Sequence, residues 1–549
     1  MNPTLIIPSA KLVPEELQKV GKFPGVIYPV NQKIVFEYLY EQYKNTCKDI
    51  QVICYEAADK VHRRLRSYEG KKVNIIELNE LRDLGYTVYS AIEDIDSPLI
   101  INFSDTIVFD NIFEVEKDAF YYSEDFATDI WTFYDIKDGI ILNVYDKINW
   151  EKKEKRKLFV GVFQILHTSY FKNCLKEAFQ NNNSAINNFY YAIMEYSKKY
   201  PFEDVETTNW FDIGHADTYY NSKLEVKARE FNHITIDKNR GILRKSSDDK
   251  DKFIGEILWY LKLPKNLEYV RPRIFSYSTE YNNPYVEMEY YAYHTLHELA
   301  LYGDLNRHQW IDIFKRICFV CEDFKKYTVK NEFIRNSLED MYLNKTVQRL
   351  DRLRKDERFK KFFNQPIIVN GKKYKCLNSV QEELQRVVPE MLFDVEEFSI
   401  IHGDLCFANI MVDENYSFIK VIDPRGKFGD FDVYGDFRYE LAKLFHSVDG
   451  KYDFIIKDLF KINYKSEENE INYSIINRVR TFDLYQTFLD VFKEAIGNNL
   501  KKIELIEALL FLTMIPLHNE SFEHQLVMLG TGLEILNRVI NIEERYRNV

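Results

Sequence analysis

Two short polar segments in the second half of the chain interrupt a series of apolar runs of strand length. The apolar runs are residues 398–401, 410–412 and 418–422. The first polar segment, 402–409, begins with His-Gly-Asp and ends in Asn, and the second begins at Asp423. Short apolar runs bounded by turn residues are typical of β-strands, so the pattern predicts two polar loops at strand ends. Such loops would bring Asp404, Asn409 and Asp423 together.

An Asp, an Asn and a second Asp in this order are suited to catalysis of phosphoryl transfer. The reaction needs little covalent chemistry from side chains, so positioning and charge neutralisation dominate. We predict that Asp404 accepts the proton of an acceptor hydroxyl, and that Asn409 and Asp423 hold Mg²⁺ at the phosphates of ATP. His402 is expected to support the loop by hydrogen bonding. An ordinary polar hairpin is the alternative, because His-Gly-Asp is also a turn signal.

These segments resemble the aminoglycoside phosphotransferase and choline kinase superfamily. Its catalytic segment reads H-G-D-x-x-x-x-N, and its metal-binding Asp lies in an I-D-x-x-x strand end. Residues 435–443, Gly-Asp-Phe-Arg-Tyr-Glu-Leu-Ala-Lys, also resemble that family's G-D-P-x-Y-D-L-A-K segment. The resemblance implies a two-lobed protein-kinase-like fold that uses ATP and Mg²⁺. Arg425 departs from the D-F-G of protein kinases, which favours a small-molecule kinase.

Such a kinase needs a Lys on an N-lobe strand and a Glu on the next helix, because the phosphates need a fixed cation and that cation needs an anchor. The chain offers a hairpin at 233–245 and a helix at 252–261. We predict Lys245 and Glu256 as the ion pair. Arg244 and Lys252 are the alternatives.

The strand and hinge at 284–290 are predicted to cradle the adenine, with Glu287 and Met288 as the binding residues. The sequence has no G-x-G-x-x-G loop at the hairpin. The turn at Gly241 is therefore expected to cover the phosphates. The resembled family also lacks a strict glycine loop.

The first part of the chain has the strand, loop and helix order of a nucleotide-binding α/β unit. Its segments are a strand at 5–8, a helix at 34–43, a strand at 98–103 and apolar or aromatic segments at 158–163 and 210–219. In this order they resemble the sugar nucleotidyltransferases, which join a sugar 1-phosphate to a nucleotide. The resemblance implies that Asp105 and Asp212 are the two metal-binding Asp residues and that Lys147 is the Lys of an E-K-P segment.

The same resemblance fails where a triphosphate would bind. Backbone amides of a glycine-rich loop and two cations normally hold it. Here Lys11 and Val13 replace glycines, Glu15 replaces the Arg and Gly25 replaces the activating Lys. We therefore expect a nucleotidyltransferase fold with lost or weakened nucleotidyl transfer. Alternatively, the retained residues are structural leftovers, a sugar or nucleotide site, or part of a site that recruits another loop; Asp212 also suits a helix N-cap.

Composition limits the partners. The net charge of -12 argues against nucleic acid and anionic membrane, and no apolar run approaches the roughly 20 residues of a membrane span. The N-terminal residues lack the pattern of a signal peptide, so a cytoplasmic location is expected. Seven scattered cysteines suit reduced thiols, and Cys318 and Cys321 are expected to pack in a core rather than bind zinc.

The expected fold class is α/β plus α+β. We predict a nucleotidyltransferase-like domain at 1–228, a kinase N-lobe at 229–292 and a C-lobe with a helical acceptor-binding region at 293–549. A helix at 219–230 is expected to join the domains without a flexible linker. Expected C-lobe helices are 296–327, 332–353, one beginning near 379, 482–494, 503–514 and 522–541. Polar acceptor contacts are expected from Asp430, Asp432, Asp436 and His518.

The sequence thus favours an ATP-dependent kinase that phosphorylates a hydroxyl of a small molecule, a sugar or an amino alcohol. Surface polysaccharide or activated-sugar biosynthesis is the expected setting, by association alone. One alternative is a bifunctional kinase and nucleotidyltransferase that makes an NDP-sugar or a CDP-choline-type product. Others are a non-catalytic nucleotide-binding scaffold and an antibiotic-modifying kinase.

Overall fold

The structure of the chain is a computed structural model that describes residues 2–30, 33–66, 68, 70, 72–110, 116–125, 130–148, 154–182, 186–214, 232–237, 239–476 and 480–543. The chain divides into two compact units, Met1–Val226 and Lys227–Val549. The helix predicted at 219–230 lies outside the described residues. Within the described part of the chain, no helix is long and apolar enough to cross a membrane.

The first unit contains α-helices and a mixed sheet of parallel and antiparallel strands. Its strands are β1 (Thr4–Ser9), β2 (Pro29–Val30), β3 (Lys33–Ile34), β4 (Asp49–Cys54), β5 (Val73–Glu77), β6 (Leu99–Asn102), β7 (Thr106–Val108), β8 (Ala119–Asp125), β9 (Thr132–Lys137), β10 (Ile140–Asp146), β11 (Arg156–Ile165), β12 (Glu203–Glu206) and β13 (Trp210–Asp212). Its helices are α1 (Val35–Tyr43), α2 (Ala58–Leu65), α3 (Leu84–Ile92), α4 (Thr168–Asn181) and α5 (Asn188–Ser197).

The strand order of the main sheet is β10-β9-β11-β6-β1-β4-β5, with β8 beside β11 and β12 beside β8. Strands β6, β1, β4 and β5 run parallel, and β11 is antiparallel to β6. The chain therefore leaves β1 toward β4 and β5 and returns to the other side of β1 as β6. This Rossmann-like reversal makes a crevice at the carboxyl ends of β1 and β6, where ligands bind in such sheets.

Burial explains why these segments form the centre of the sheet. Strand β1 is buried along its whole length, and so is β6, as expected for parallel strands covered on both faces. Residues of α3, α4 and α5 complete an apolar core that contains Phe120, Phe163 and Phe189. The core therefore supports the strand ends on either side of the crevice.

The second unit begins with a four-stranded antiparallel sheet and one helix. The elements are β14 (Asn232–Asp237), β15 (Ile242–Ser247), α6 (Lys250–Lys262), β16 (Ile274–Ser278) and β17 (Tyr285–Glu289), in the sheet order β14-β15-β17-β16. Helix α6 starts at the N-cap Asp249, whose carboxylate accepts a hydrogen bond from the Lys252 amide. Its buried face, which includes Phe253, Glu256 and Trp259, is directed into the unit.

The rest of the second unit is mainly helical, with short strands that hold the polar loops. These elements are β18 (His294–Thr295), α7 (Leu296–Leu301), α8 (Arg307–Lys325), β19 (Thr328–Val329), α9 (Phe333–Leu338), α10 (Lys345–Arg354), α11 (Lys360–Asn364), β20 (Ile367–Val369), β21 (Lys372–Tyr374), α12 (Leu377–Leu392), β22 (Phe398–Ile400), β23 (Ile410–Val412), β24 (Ile419–Val421), β25 (Tyr434–Gly435), α13 (Phe437–Val448), α14 (Tyr452–Ile455), β26 (Phe460–Lys465), β27 (Glu470–Ile475), α15 (Leu484–Ile496), α16 (Leu500–Met514) and α17 (Phe522–Ile540). A π-helical turn, Glu339–Asn344, joins α9 to α10.

Two features of this helical part differ from the prediction. The single helix predicted over 296–327 is wrong: the chain forms α7 and α8, which are separated at Gly303. A Cβ at Gly303 would lie 2.6 Å from the Leu299 carbonyl oxygen, and Asn306 then starts α8 with a capping box to Gln309. The hairpin β26-β27 was not predicted, and it extends the β20-β21 hairpin into a four-stranded sheet.

Candidate active site

The loop that begins at His402 is fixed by the imidazole ring of that residue. His402 is buried, and its Nε2 lies 2.9 Å from the Ile422 carbonyl oxygen, while its Nδ1 lies 3.3 Å from the Asp404 amide nitrogen. These partners fit a neutral ring that donates from Nε2 and accepts at Nδ1. Burial lowers the pKa of His402 to about 4. The ring therefore links the first polar loop to the strand that ends at Asp423.

Glu440 holds the same loop from the opposite side, and the sequence analysis assigned it no role. Its fully buried carboxylate accepts hydrogen bonds from the amides of His402, at 2.7 Å, and Gly403, at 2.9 Å. Burial raises the pKa of Glu440 to about 7, against the effect of these amide donors. The sequence signal was its place in the 435–443 segment, but only the fold shows that it reaches the loop.

Asp404 lies between a cation and an amide. The Lys443 ammonium is 2.7 Å from Asp404 Oδ1, and Asn409 Nδ2 donates to the Asp404 carbonyl oxygen at 2.8 Å and to Oδ2 at 3.2 Å. Burial acts to raise the pKa of Asp404, but Lys443, with smaller effects of His402 and Arg425, outweighs it and holds this pKa below its usual value. The Asn409 amide bonds through its nitrogen, so its side-chain oxygen is not committed to this contact.

Asp423 lies at the end of β24 in the left-handed backbone region, with φ of 57°. A residue other than glycine in this region carries strain, and such strain clusters at functional sites. The Asp423 amide donates to the Tyr260 hydroxyl at 3.1 Å, which anchors the turn to α6. Its side chain is 48% exposed and faces Lys245, so a carboxylate oxygen stays accessible for a ligand.

Lys245 on β15 connects α6 to the loop after β24. Its ammonium lies 2.8 Å and 2.9 Å from the two Glu256 carboxylate oxygens and 2.8 Å from Asp423 Oδ1. The Lys245 side chain is only 5% exposed. Burial acts to lower its pKa, but Asp423 and Glu256 outweigh it and raise the pKa of Lys245 above its usual value. The structure thus contains the contact between Lys245 and Glu256 that the sequence analysis proposed.

The alternatives to Lys245 make other contacts. Arg244 points to the opposite face of β15, as successive residues of a strand do, and its guanidinium lies 2.6 Å from Glu287 Oε1. Lys252 is exposed. Glu287 is therefore engaged by Arg244, whereas Met288 is buried on the other face of β17. Their role toward adenine stays a prediction.

Asp432 and Asp436, which were expected to contact the acceptor, make contacts with other side chains of the unit. Asp436 is buried, caps α13, and binds the Arg438 guanidinium and the Tyr342 hydroxyl. Asp432 forms an ion pair with Lys262. The Asp430 amide donates to Ser337 Oγ, and His518 contacts Tyr452.

The first unit brings two of its predicted residues together. A Cβ added at Gly214 would lie 3.0 Å from both Asp105 Oδ2 and Asp212 Oδ1. Asp105 follows β6 at the sheet crevice, and its carbonyl oxygen accepts from the Ile213 amide at 2.8 Å. Lys147 is exposed at the end of β10, with φ of 53°, and its amide donates to the Trp131 carbonyl oxygen. A metal role for the two Asp residues stays a prediction.

Backbone amides of the loop after β1 donate hydrogen bonds to other groups of the first unit. The Leu12 amide donates to the Glu56 carboxylate at 2.8 Å, and the Val13 amide donates to the Phe23 carbonyl oxygen at 2.9 Å. Gly25 packs against the Asp105 loop, because a Cβ there would lie 2.9 Å from both the carbonyl oxygen and Oγ of Ser104. A longer residue at position 25 would need the Ser104 backbone to move. Carboxylate and carbonyl oxygens thus occupy amides that could otherwise bind phosphate.

The chain matches no known family model and no curated protein. It is similar in structure to the CTP:phosphocholine cytidylyltransferase of Streptococcus pneumoniae, with 16% identity and a TM-score of 0.33 over 40% of this chain and 97% of that chain. It is also similar to a nucleoside-diphosphate-sugar pyrophosphorylase of Vibrio cholerae (14%, TM-score 0.32, 40% and 99%) and to the inositol-1-phosphate CTP transferase of T. maritima (14%, 0.30, 42% and 98%). These similarities cover the N-terminal part of the chain.

Proposed function

We propose that the second unit is an ATP-dependent kinase that transfers a phosphoryl group to a hydroxyl of a small molecule. The observation that carries this proposal is the contact of Lys245 with both Glu256 and Asp423. It joins a strand and the helix that follows it to a loop that lies 178 residues further along the chain. Asp404 and Asn409 belong to the neighbouring loop, which His402 ties to the end of β24. A purely structural hairpin does not require this arrangement.

The residues at Asp423 fit a Mg²⁺ site. Hard cations prefer carboxylate and amide oxygens, and both Asp423 and Asn409 offer such an atom. When bound, Mg²⁺ supplies positive charge that neutralises the phosphate oxygens of ATP. Lys245 would bind the same phosphates, and Glu256 would keep its ammonium in place. In the structure, the Lys245 ammonium donates one hydrogen bond to Asp423 Oδ1. A phosphate oxygen of bound ATP would replace Asp423 as the acceptor of this hydrogen bond.

Asp404 would orient the acceptor hydroxyl. Because Lys443 lowers its pKa, the carboxylate is ionised at neutral pH and can accept the hydroxyl hydrogen. The same contact makes Asp404 a weak base, so its contribution lies mainly in aiming the oxygen at the phosphorus atom. A loose transition state needs little proton removal before the P–O bond forms.

The proposal is tested by incubating a small-metabolite extract with ATP and MgCl₂ and following the products by mass spectrometry. The intact protein is compared with Asp404→Asn, which keeps the shape of the side chain but removes its charge. We expect a product that has gained one phosphate with the intact protein, and a loss of at least about 100-fold in rate with the variant. Glu414→Gln, an acidic residue in the hairpin turn between β23 and β24, is the control.

No phosphorylated product with either protein would contradict the kinase. ATP binding without turnover, detected as a rise in melting temperature, would then favour the nucleotide-binding scaffold. A product that carries a nucleotide would favour the bifunctional enzyme. The paired Asp105 and Asp212 support that second reading, whereas the internally bonded amides of the loop after β1 argue against it.

A further inference from the structure

Four basic side chains from three segments lie close to one another, and three of them, Lys443, Arg425 and Lys345, interact with Asp404. Lys443 lies on α13, Arg425 follows Asp423 in sequence, and Lys345 and Arg349 are neighbours one turn apart on α10. We call these four residues the basic cluster. Arg425, Lys443 and Asp404 act electrostatically on Lys345, and Arg425 also acts on Arg349. The four positive charges therefore share one small region.

The cluster is held in place by packing. Arg425 lies against the catalytic loop, since a Cβ at Gly403 would be 3.0 Å from Arg425 Cβ. Its guanidinium donates to the Tyr439 hydroxyl at 2.9 Å, one turn before Lys443 on α13. The Tyr439 ring in turn packs on the ring of Tyr342, with 6.3 Å between centroids. Tyr342 belongs to the π-helical turn that immediately precedes Lys345.

That π-helical turn is itself informative. Such turns are rare, and they are frequent at functional sites because they shift the direction of the side chains that follow. Here the turn ends at Asn344, and the next residue is Lys345. Thr346 bonds back to the Tyr342 carbonyl oxygen at 2.7 Å, which fixes the start of α10. The position of Lys345 is therefore set by a special backbone conformation.

The four basic groups of the cluster outnumber the acidic side chains that act on them. Lys345 is half-buried, and its side chain makes no hydrogen bond or ion pair with the described residues. Arg349 donates to the Thr513 carbonyl oxygen at 3.0 Å, which is a neutral partner. Asp404 contacts the cluster through Lys443, and Glu440 interacts with Lys443 electrostatically. Burial and the neighbouring cations Arg425, Arg349 and Lys443 lower the pKa of Lys345 well below its usual value.

A half-buried group of four basic side chains that outnumbers its acidic neighbours is complementary to an anion. A cationic acceptor, such as an amino alcohol or an aminoglycoside, would be repelled from the same place. We propose that the acceptor carries a phosphate or carboxylate group besides its hydroxyl, and that Lys345 and Arg349 bind this group. This inference rests on the proposed kinase function and narrows its substrate to hydroxylated anions, such as acidic sugars or sugar phosphates.

The γ-phosphate of ATP is a second anionic group that the basic cluster could bind. Lys443 and Arg425 adjoin Asp404 and its loop, so either can also contact the transferred phosphate. Lys345 and Arg349 belong to α10, which packs on α16 in the helical part of the unit. The two sources are separated by kinetics, because a residue that binds the acceptor changes the KM for the acceptor and not the KM for ATP.

The first arm of the test separates the metabolite extract at pH 7 on a strong anion exchanger. The retained and unretained fractions are each incubated with ATP, MgCl₂ and the intact protein, and the products are identified by mass spectrometry. We expect the phosphorylated product to arise from the retained fraction. A product that arises from the unretained fraction would overturn the inference and leave the kinase intact. No product in either fraction would overturn the proposed function, and the inference with it.

The second arm uses the active fraction with Lys345→Gln, Arg349→Gln and the conservative Lys345→Arg. We expect the two Gln variants to raise the KM for the acceptor at least about tenfold and to change the KM for ATP less than about twofold. Lys345→Arg is expected to keep the KM for the acceptor close to that of the intact protein. Lys355→Gln, an exposed residue just after α10, is the control. A rise in the KM for ATP with an unchanged KM for the acceptor would overturn the inference, and melting temperatures exclude misfolding.

Discussion

Lys443 is the residue that sets the charge state of Asp404. Burial alone would favour the protonated acid, and the ammonium 2.7 Å away reverses this preference. Sequence reading placed Asp404 in a catalytic loop but gave Lys443 no partner. The two residues lie 39 positions apart, and only the packing of α13 against the loop brings them together.

Removing this cation has a predictable effect on the pH dependence of catalysis. In Lys443→Met, the strongest of the groups that oppose the effect of burial is removed, so the pKa of Asp404 rises. We expect the acid limb of kcat/KM, which lies below pH 4 in the intact protein, to move upward into the range from pH 4 to 8. The measurement is a pH profile from pH 4 to 8 with saturating Mg²⁺. Lys461→Met, at an exposed position of β26, should leave the limb in place; an unmoved limb in Lys443→Met would count against the pairing.

His402 should make stability depend on pH. Its pKa falls from 6.5 to about 4 on burial, so the unfolded chain takes up the proton first as the pH drops. The contribution of this ring is fully present above pH 6.5 and is lost as the pH falls toward 4, by an amount on the order of 3 kcal/mol.

The measurement is the melting temperature of the intact protein and of His402→Gln between pH 7 and pH 5. We expect a shallower decrease in the variant, because glutamine carries no titratable ring. His308→Gln, at an exposed position of α8, is the matched control and should keep the full decrease. Equal slopes in the intact protein and His402→Gln would contradict the buried neutral ring.

At the scale of elements, α6 and the loop after β24 meet backbone to backbone. Gly426 has φ of 65°, and a Cβ there would lie 2.1 Å from the Gly255 carbonyl oxygen. Gly255 precedes Glu256, and Gly426 comes three residues after Asp423. This close approach therefore places the two carboxylates on either side of Lys245.

Gly426→Ala should separate these elements. The added methyl group cannot be accommodated at 2.1 Å from a backbone oxygen, so α6 or the loop must move by about 1 Å or more. We expect kcat/KM to fall about 100-fold, because misplacement of this size disrupts the alignment of reacting groups. Gly371→Ala is the matched control, since Gly371 also has positive φ, 79°, but open space around it. Equal losses in both variants would show that backbone strain alone is responsible.

The helices and strands themselves were predicted unevenly. The hairpin at β14-β15, helix α6 and the strands around the polar loops were predicted at nearly the observed residues, because apolar periodicity and turn residues act locally. The break between α7 and α8 was missed although Gly303 and the Asn306 capping box signal it. The hairpin β26-β27 was missed although its strands pair with each other around the polar turn at 466–469; β27 has a second partner in β20, about 100 residues earlier.

At the scale of the whole molecule, the candidate sites of the two units differ in how completely their residues are assembled. The first has a Rossmann-like sheet reversal and two neighbouring Asp residues beside its crevice, but its loop after β1 is closed by internal hydrogen bonds. The second has an assembled network of Lys, Glu and Asp. We therefore expect phosphoryl transfer without nucleotidyl transfer.

This expectation is tested by assaying pyrophosphate release from each of the four ribonucleoside triphosphates with sugar 1-phosphates and with phosphocholine. We expect no release above background from the intact protein. Gly25→Lys is also expected to be inactive, because its Cβ would collide with Ser104. The pneumococcal cytidylyltransferase named above serves as the positive control with CTP and phosphocholine. Release by the intact protein would show that the internally bonded loop opens to bind a triphosphate.

The amino-acid sequence by itself determined which side chains carry charge and hydroxyl-directed chemistry, and where the strands around them begin and end, because these properties depend on near neighbours along the chain. The tertiary structure alone decided which of these groups meet. Glu440 on the loop amides, Lys443 on Asp404, Glu56 on the Leu12 amide and the unbalanced cluster near Lys345 all join segments that are distant in sequence. Such contacts follow from the packing of whole elements, which no local pattern encodes.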